Sequence, residues 1–126
     1  MKHSAGFLKL VAASKRRVKE ISVADVKSKL SGKNDIVLID VREEHEWDEA
    51  HVAGAIHLSK GIIERDIEHA VPDKTAAIVL YCGGGFRSAL AADNLKKMGY
   101  KNVLSMAGGW RAWKKGRGKI VAAGNK

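Results

Sequence analysis

With 126 residues the chain fits one domain, long enough to bury a core without covalent staples. Its hydrophobic (45%) and charged (29%) fractions are those of an ordinary globular protein, and no apolar run nears the roughly 18 residues of a membrane span. The formal charge of +9 sits at the ends: twelve basic residues and no acid lie in 1–19 and 111–126, while 20–110 hold eleven basic against fourteen acidic residues.

Residues 5–19 space Phe7, Leu8, Val11 and Val18 near the helical period with charges between, which predicts an amphipathic helix. Lys9 interrupts its short apolar run, so it makes a poor secretory signal. The acid-free, basic composition fits an organelle transit peptide or an extra helix packed on the domain, and the packed helix is the preferred reading. Ser22 reads as the N-cap of a helix from Val23 to Leu30, closed by Gly32. Ile36–Ile39 is a continuous apolar run rich in β-branched residues, as expected for a strand buried on both faces. Glu43–Ala50 is helix-compatible, Ala55–Leu58 a short strand, and 61–69 helical. A turn at Pro72–Lys74 precedes a second buried strand, Ala76–Tyr81. Ser88–Met98 is a helix that Gly99 ends in a left-handed conformation. A strand at Asn102–Ser105 and a helix at Gly109–Lys115 follow, and from Gly116 the glycine-rich basic tail reads as mobile. The division is a basic amphipathic helix (1–19), a folded domain (20–115) and a basic flexible tail (116–126).

Buried strands alternating with helices predict an α/β fold, a mostly parallel central sheet flanked by helices in a single domain. Ligands bind such sheets beyond the carboxyl ends of the strands, here after Ile39 and after Tyr81. After Tyr81 comes Cys82-Gly83-Gly84-Gly85-Phe86-Arg87-Ser88 and then a helix. A thiol at a helix N-terminus faces unsatisfied N–H groups and the positive end of the helix dipole, which favours an anionic sulfur. Consecutive glycines let successive N–H groups converge into a nest for an anion. Arg87 adds a planar fork of donors, and Ser88 stands where an N-cap belongs. Cys82 is the chain's one cysteine, so no internal disulfide and no cysteine-based zinc site can form, and a reducing cytoplasm is the expected location.

This stretch resembles the rhodanese family. Asp40-Val41-Arg42-Glu43, the run His51–Leu58 and Gly108-Gly109-Trp110 resemble it too, so that the likeness covers about residues 20–115. Ala50 and Ala53 stand where the family usually has glycine and proline, a matter of one turn. The resemblance implies a single-domain thiosulfate sulfurtransferase, with the family's cysteine on Cys82 and its loop arginine on Arg87. Sulfane sulfur would pass from thiosulfate or a similar small anion to Cys82, then to cyanide, a thiol or an acceptor protein. The same resemblance makes Asp40 and Arg42 a pair bracing the neighbouring loops. Lys60, Glu64 and Arg65, which follow the His57 strand, are candidates for the mouth of a substrate pocket. Trp110 either walls that pocket or packs. His51 and His57 read as hydrogen-bonded packing residues. His3, His45 and His69 show no metal-ligand spacing with other ligands, and neither a metal nor another cofactor is expected.

Other readings stay open. A related fold serves phosphatases with five residues between cysteine and arginine, to wrap a phosphoryl group; here only Gly83–Phe86 intervene. A docking module that has lost catalysis usually lacks the cysteine. A relay to tRNA thiolation would use the basic ends as phosphate contacts, but no aromatic residues are interleaved there for stacking. Otherwise those ends are solvated charge.

Overall fold

The structure, a computed structural model, describes residues 2–32 and 35–123. Five parallel strands form the central sheet: β1 (Lys19–Ile21), β2 (Ile36–Asp40), β4 (Ile56–His57), β5 (Ala77–Tyr81) and β6 (Asn102–Met106), in the order β1-β6-β5-β2-β4. Parallel neighbours need crossovers, supplied here by α2 (Val23–Ser31), α3 (Glu44–Glu49), α4 (Ile63–Ala70) and α5 (Phe86–Lys97), with α1 (Ala5–Lys15) and α6 (Gly109–Lys115) at the ends. A short antiparallel ribbon pairs β3 (Ala50–Val52) with β7 (Ile120–Ala122).

The predicted α/β architecture is therefore the observed one. The two buried runs are β2 and β5, neighbours in register with Asp40 opposite Tyr81. Side chains alternate across a strand, so Ile78 and Leu80 face the layer holding Ile63, Ile67, Ala92 and Leu95, while Val79 and Tyr81 face Val26, Met106 and Trp113. Cys82 continues the first series, and that parity turns its sulfur toward α5.

Three short strands, β1, β3 and β7, have no counterpart among the predicted elements. The last changes the reading of the tail: Ile120–Ala122 is paired with β3, and Lys119 accepts a hydrogen bond from the Trp113 indole at 3.0 Å. Residues 124–126, the end of the expected mobile segment, lie outside the described residues. At the other end, α1 stops at Lys15, so Val18 enters the core from the turn that follows, and Leu8 points outward. The helix lies against α5 through Asp93, which takes the Ser14 hydroxyl at 3.0 Å and the Arg17 guanidinium at 2.6 Å. Arg17, counted above among the charges of the ends, is thus part of a specific clasp.

Candidate active site

Cys82 follows the last residue of β5 and is 2% exposed. The chain then turns through Gly85, whose φ of +99° only glycine adopts without strain, and α5 begins at Phe86. The turn aims the Gly85 N–H at the Cys82 Sγ over 3.1 Å and the Ser88 N–H over 3.4 Å. Two amides of the first helical turn thus converge on one sulfur at the positive end of the helix dipole.

The N-cap expected at Ser88 is instead Gly85, because the left-handed glycine starts the helix earlier. Ser88 is fully buried inside the first turn, its hydroxyl 3.6 Å from the Cys82 Sγ and 2.8 Å from the Ser105 hydroxyl on β6. Gly83 and Gly84 have ordinary φ and matter for space. A Cβ on Gly83 would come within 3.2 Å of Arg87 Nη2, and one on Gly84 within 3.6 Å of Arg111 Nη2.

The loop is locked from behind by α6. Trp110 N–H donates to the Cys82 carbonyl at 2.7 Å, and Arg111 N–H to the Gly83 carbonyl at 3.2 Å. So close an approach explains Gly109: at φ +53° a Cβ there would overlap the Cys82 carbonyl oxygen and meet Gly83 C at 3.0 Å. Gly109→Ala is expected to cost about 1–3 kcal/mol in a urea unfolding curve. It should also slow any chemistry at Cys82, because the clash displaces the loop itself. Unchanged stability and activity would show that the loop yields freely.

Asp40 and Arg42 form a buried pair at the foot of this loop. Arg42 Nη2 lies 2.8 Å from Asp40 Oδ2, and its Nε and backbone N–H also donate to Asp40. Arg42 Nη2 further donates to the Ala50 carbonyl at 2.7 Å. The Tyr81 hydroxyl donates to Asp40 at 2.7 Å and accepts the Val52 N–H at 3.0 Å. Burial first, and the Asp40 charge second, push the Tyr81 phenol far above its ordinary range, which keeps it a donor. Neither Asp40 nor Arg42 lines the cleft. His57 bonds the Arg42 carbonyl at 2.8 Å and His51 the Trp47 carbonyl at 3.0 Å, both rings stacked on Trp47.

The cleft above Cys82 encloses about 730 Å³. The loop contributes Cys82, Gly83, Gly84, Phe86 and Arg87; the rest comes from Glu46 of α3, Arg111 of α6, and Lys2, His3, Ser4 and Phe7 at the start of α1. Phe86 sits in a ring cluster with His3 (4.9 Å) and Phe7 (6.2 Å), so the N-terminal segment forms a wall of the site. Arg87 binds the Glu46 carboxylate, Nη1 to Oε1 at 2.8 Å. Burial works to raise the Glu46 carboxyl, but the Arg87 hydrogen bond, the Glu43 amide and the charges of Arg87 and Arg42 outweigh it and hold it below the usual range. Burial likewise works to lower the Arg87 guanidinium, and Glu46, joined by the Cys82 sulfur, raises it above its ordinary value.

The residues expected at the pocket mouth lie elsewhere. Lys60 pairs with Glu64 at 3.0 Å, Glu64 accepts from Asn94 of α5 at 2.8 Å, and Arg65 pairs with Asp66 at 2.7 Å; none lines the cleft. The contact of Glu64 with Asn94 ties α4 to the C-terminal part of α5, away from the N-terminus that faces Cys82. Trp110 packs its ring on the Arg42 guanidinium at 4.5 Å and stands outside the cleft lining. Glu46, Arg111 and the residues before α1 were missed from the sequence, since nothing local links them to Cys82.

The family model of the Rhodanese-like domain matches residues 22–116. Thiosulfate sulfurtransferase GlpE of Coxiella burnetii is 39% identical over 82 residues, 65% of this chain and 75% of that protein. Among solved structures, a rhodanese with anions from E. coli is 33% identical with a TM-score of 0.62, covering 70% of this chain and 99% of that one. A Rhodopseudomonas palustris protein of unknown function, RPA3614, described as a possible tyrosine phosphatase, is 27% identical with a TM-score of 0.84. That match covers 96% of this chain and 98% of the other, so it extends over α1, which the family model leaves out.

Proposed function

The chain belongs to the family of rhodanese-like domains, and on that premise we propose that it is a sulfurtransferase working through a persulfide on Cys82. The observation that carries this reading is the seat of the Cys82 Sγ, 3.1 Å and 3.4 Å from two backbone N–H donors at the foot of α5.

In the first half-reaction the Cys82 thiolate attacks the outer sulfur of thiosulfate or a similar donor. The donor's S–S bond breaks, its electron pair leaves with sulfite, and Cys82–S–S⁻ remains. The negative sulfur then lies in the nest of loop amides, with Arg87 beside it. In the second half-reaction cyanide, a thiol or an acceptor protein attacks the outer sulfur, and the Cys82 thiolate departs unchanged. The scheme is ping-pong through a covalent intermediate, with the Cys82 thiolate the nucleophile of the first half and the leaving group of the second. Asp40 and Arg42 support the loop from beneath. A compartment that keeps thiols reduced, the cytoplasm, suits this chemistry.

Phosphoryl transfer fits less well. Four residues between Cys82 and Arg87 form a smaller ring than a phosphoryl group with three equatorial oxygens requires, and Arg87 already holds Glu46. Among the described residues no aspartate lines the cleft to protonate a leaving group.

Intact mass after thiosulfate treatment tests the proposal. The expected result is an increment of one sulfur atom that disappears on adding cyanide. A chain that gains no sulfur, from thiosulfate or from a small organic persulfide, would overturn the reading; release of phosphate from an aryl phosphate would favour the phosphatase.

A further inference from the structure

The cleft holds two arginines, and they are not equivalent. The outer fork of Arg87 is bound to Glu46, at 2.8 Å through Nη1 and 3.4 Å through Nη2, so most of its charge is already answered. Its Nη2 also lies against the loop, 3.2 Å from where a Cβ on Gly83 would be, and the Cys82 sulfur is one of the groups that raise the guanidinium. Arg111 is different. Its backbone is fixed to the loop by the hydrogen bond to the Gly83 carbonyl at 3.2 Å, and its guanidinium lies over Gly84, 3.6–3.8 Å from where a Cβ would be. Among the described residues no carboxylate pairs with it. Among the described residues the one acid lining the cleft is Glu46, which is bound to Arg87, and the other cation there is Lys2.

We propose that Arg111 binds the anionic group of the sulfur donor, the sulfonate of thiosulfate, while Arg87 attends the sulfur on Cys82. This rests on the sulfurtransferase reading and assigns the donor half of the reaction. The chemistry calls for a second cation away from the nucleophile. The donor brings negative charge at its far end, and when its S–S bond breaks the electron pair moves onto departing sulfite. Two parallel N–H donors of a guanidinium can take two of the three oxygens of a sulfonate, and a charge-assisted pair is worth about twice a neutral one. Gly84, without a side chain, leaves that fork open to the cleft.

The test separates the half-reactions by stopped flow, loading Cys82 from thiosulfate and unloading it to dithiothreitol, an uncharged acceptor. Arg111→Gln is expected to slow loading by about ten- to a hundredfold, the loss of one or two charge-assisted hydrogen bonds. Arg111→Lys should recover part of the rate. Unloading should stay within about twofold of native, because the sulfonate has gone by then. Loading by native protein should fall as salt is added, and this dependence should flatten in Arg111→Gln. If Arg111→Gln loads as fast as native, or slows both halves equally, the assignment is overturned while the persulfide mechanism stands. If native protein takes up no sulfur at all, the mechanism itself has failed.

Discussion

In the Cys82→Ser variant, thiocyanate formation from thiosulfate and cyanide is expected to fall to background, a loss of at least about three orders of magnitude, with the fold retained. Serine is close in size, and its oxygen can accept the same Gly85 and Ser88 amides that the sulfur accepts, 3.1 Å and 3.4 Å away. Nothing in the packing around Cys82 therefore changes enough to unfold the protein, and circular dichroism should be that of the native chain. What is lost is the nucleophile: an alcohol is not appreciably ionised in this setting and forms no stable bond to sulfane sulfur. No other cysteine exists to replace it. Residual turnover well above background in pure Cys82→Ser would mean that sulfur travels by a route without a Cys82 persulfide.

The Cys82 loop was legible because its signal is local. A strand, a cysteine, three glycines and a helix follow one another, and the physics of a helix N-terminus needs no distant residue. The sheet was legible for a related reason, since Ile36–Ile39 and the run before Cys82 are apolar on every residue. Other features depend on contacts the chain makes far from itself. Lys19–Ile21 and Ile120–Ala122 are three residues each and become strands only because β6 and β3 lie beside them. The start of α5 was placed too late because Ser88 looked like a cap, whereas the left-handed Gly85 had already turned the chain. Lys60, Glu64 and Arg65 follow β4 and could have faced the cleft, but the Glu64–Asn94 hydrogen bond draws that helix along α5. Arg111 and Glu46 enter the site by tertiary placement, which no spacing in the sequence announces.

The largest effect on stability is expected away from the nucleophile, at Asp40. This carboxylate is fully buried, and Arg42 beside it is 3% exposed. In Asp40→Ala the Arg42 guanidinium keeps its bond to the Ala50 carbonyl but loses its hydrogen-bonded counter-charge, leaving only the more distant Glu46, and the Tyr81 hydroxyl loses its acceptor. Removing one partner of a buried pair costs about 3–5 kcal/mol, because the other charge remains out of water. Urea unfolding should show a loss of that size, and one below about 1 kcal/mol would mean that water reaches the pair. The damage should also spread to the site. Asp40 stands opposite Tyr81 across β2 and β5, next to Cys82, and the Arg42 guanidinium lies under Trp110, whose N–H holds the Cys82 carbonyl. The double variant Asp40→Ala with Arg42→Met separates charge from packing. With both ions gone no buried charge is left unanswered, so much of the lost stability should return. Sulfur loading should recover less, since the methionine no longer spans from β2 to the Ala50 carbonyl. Recovery of both to native levels would reduce the pair to a neutral filler beneath the loop.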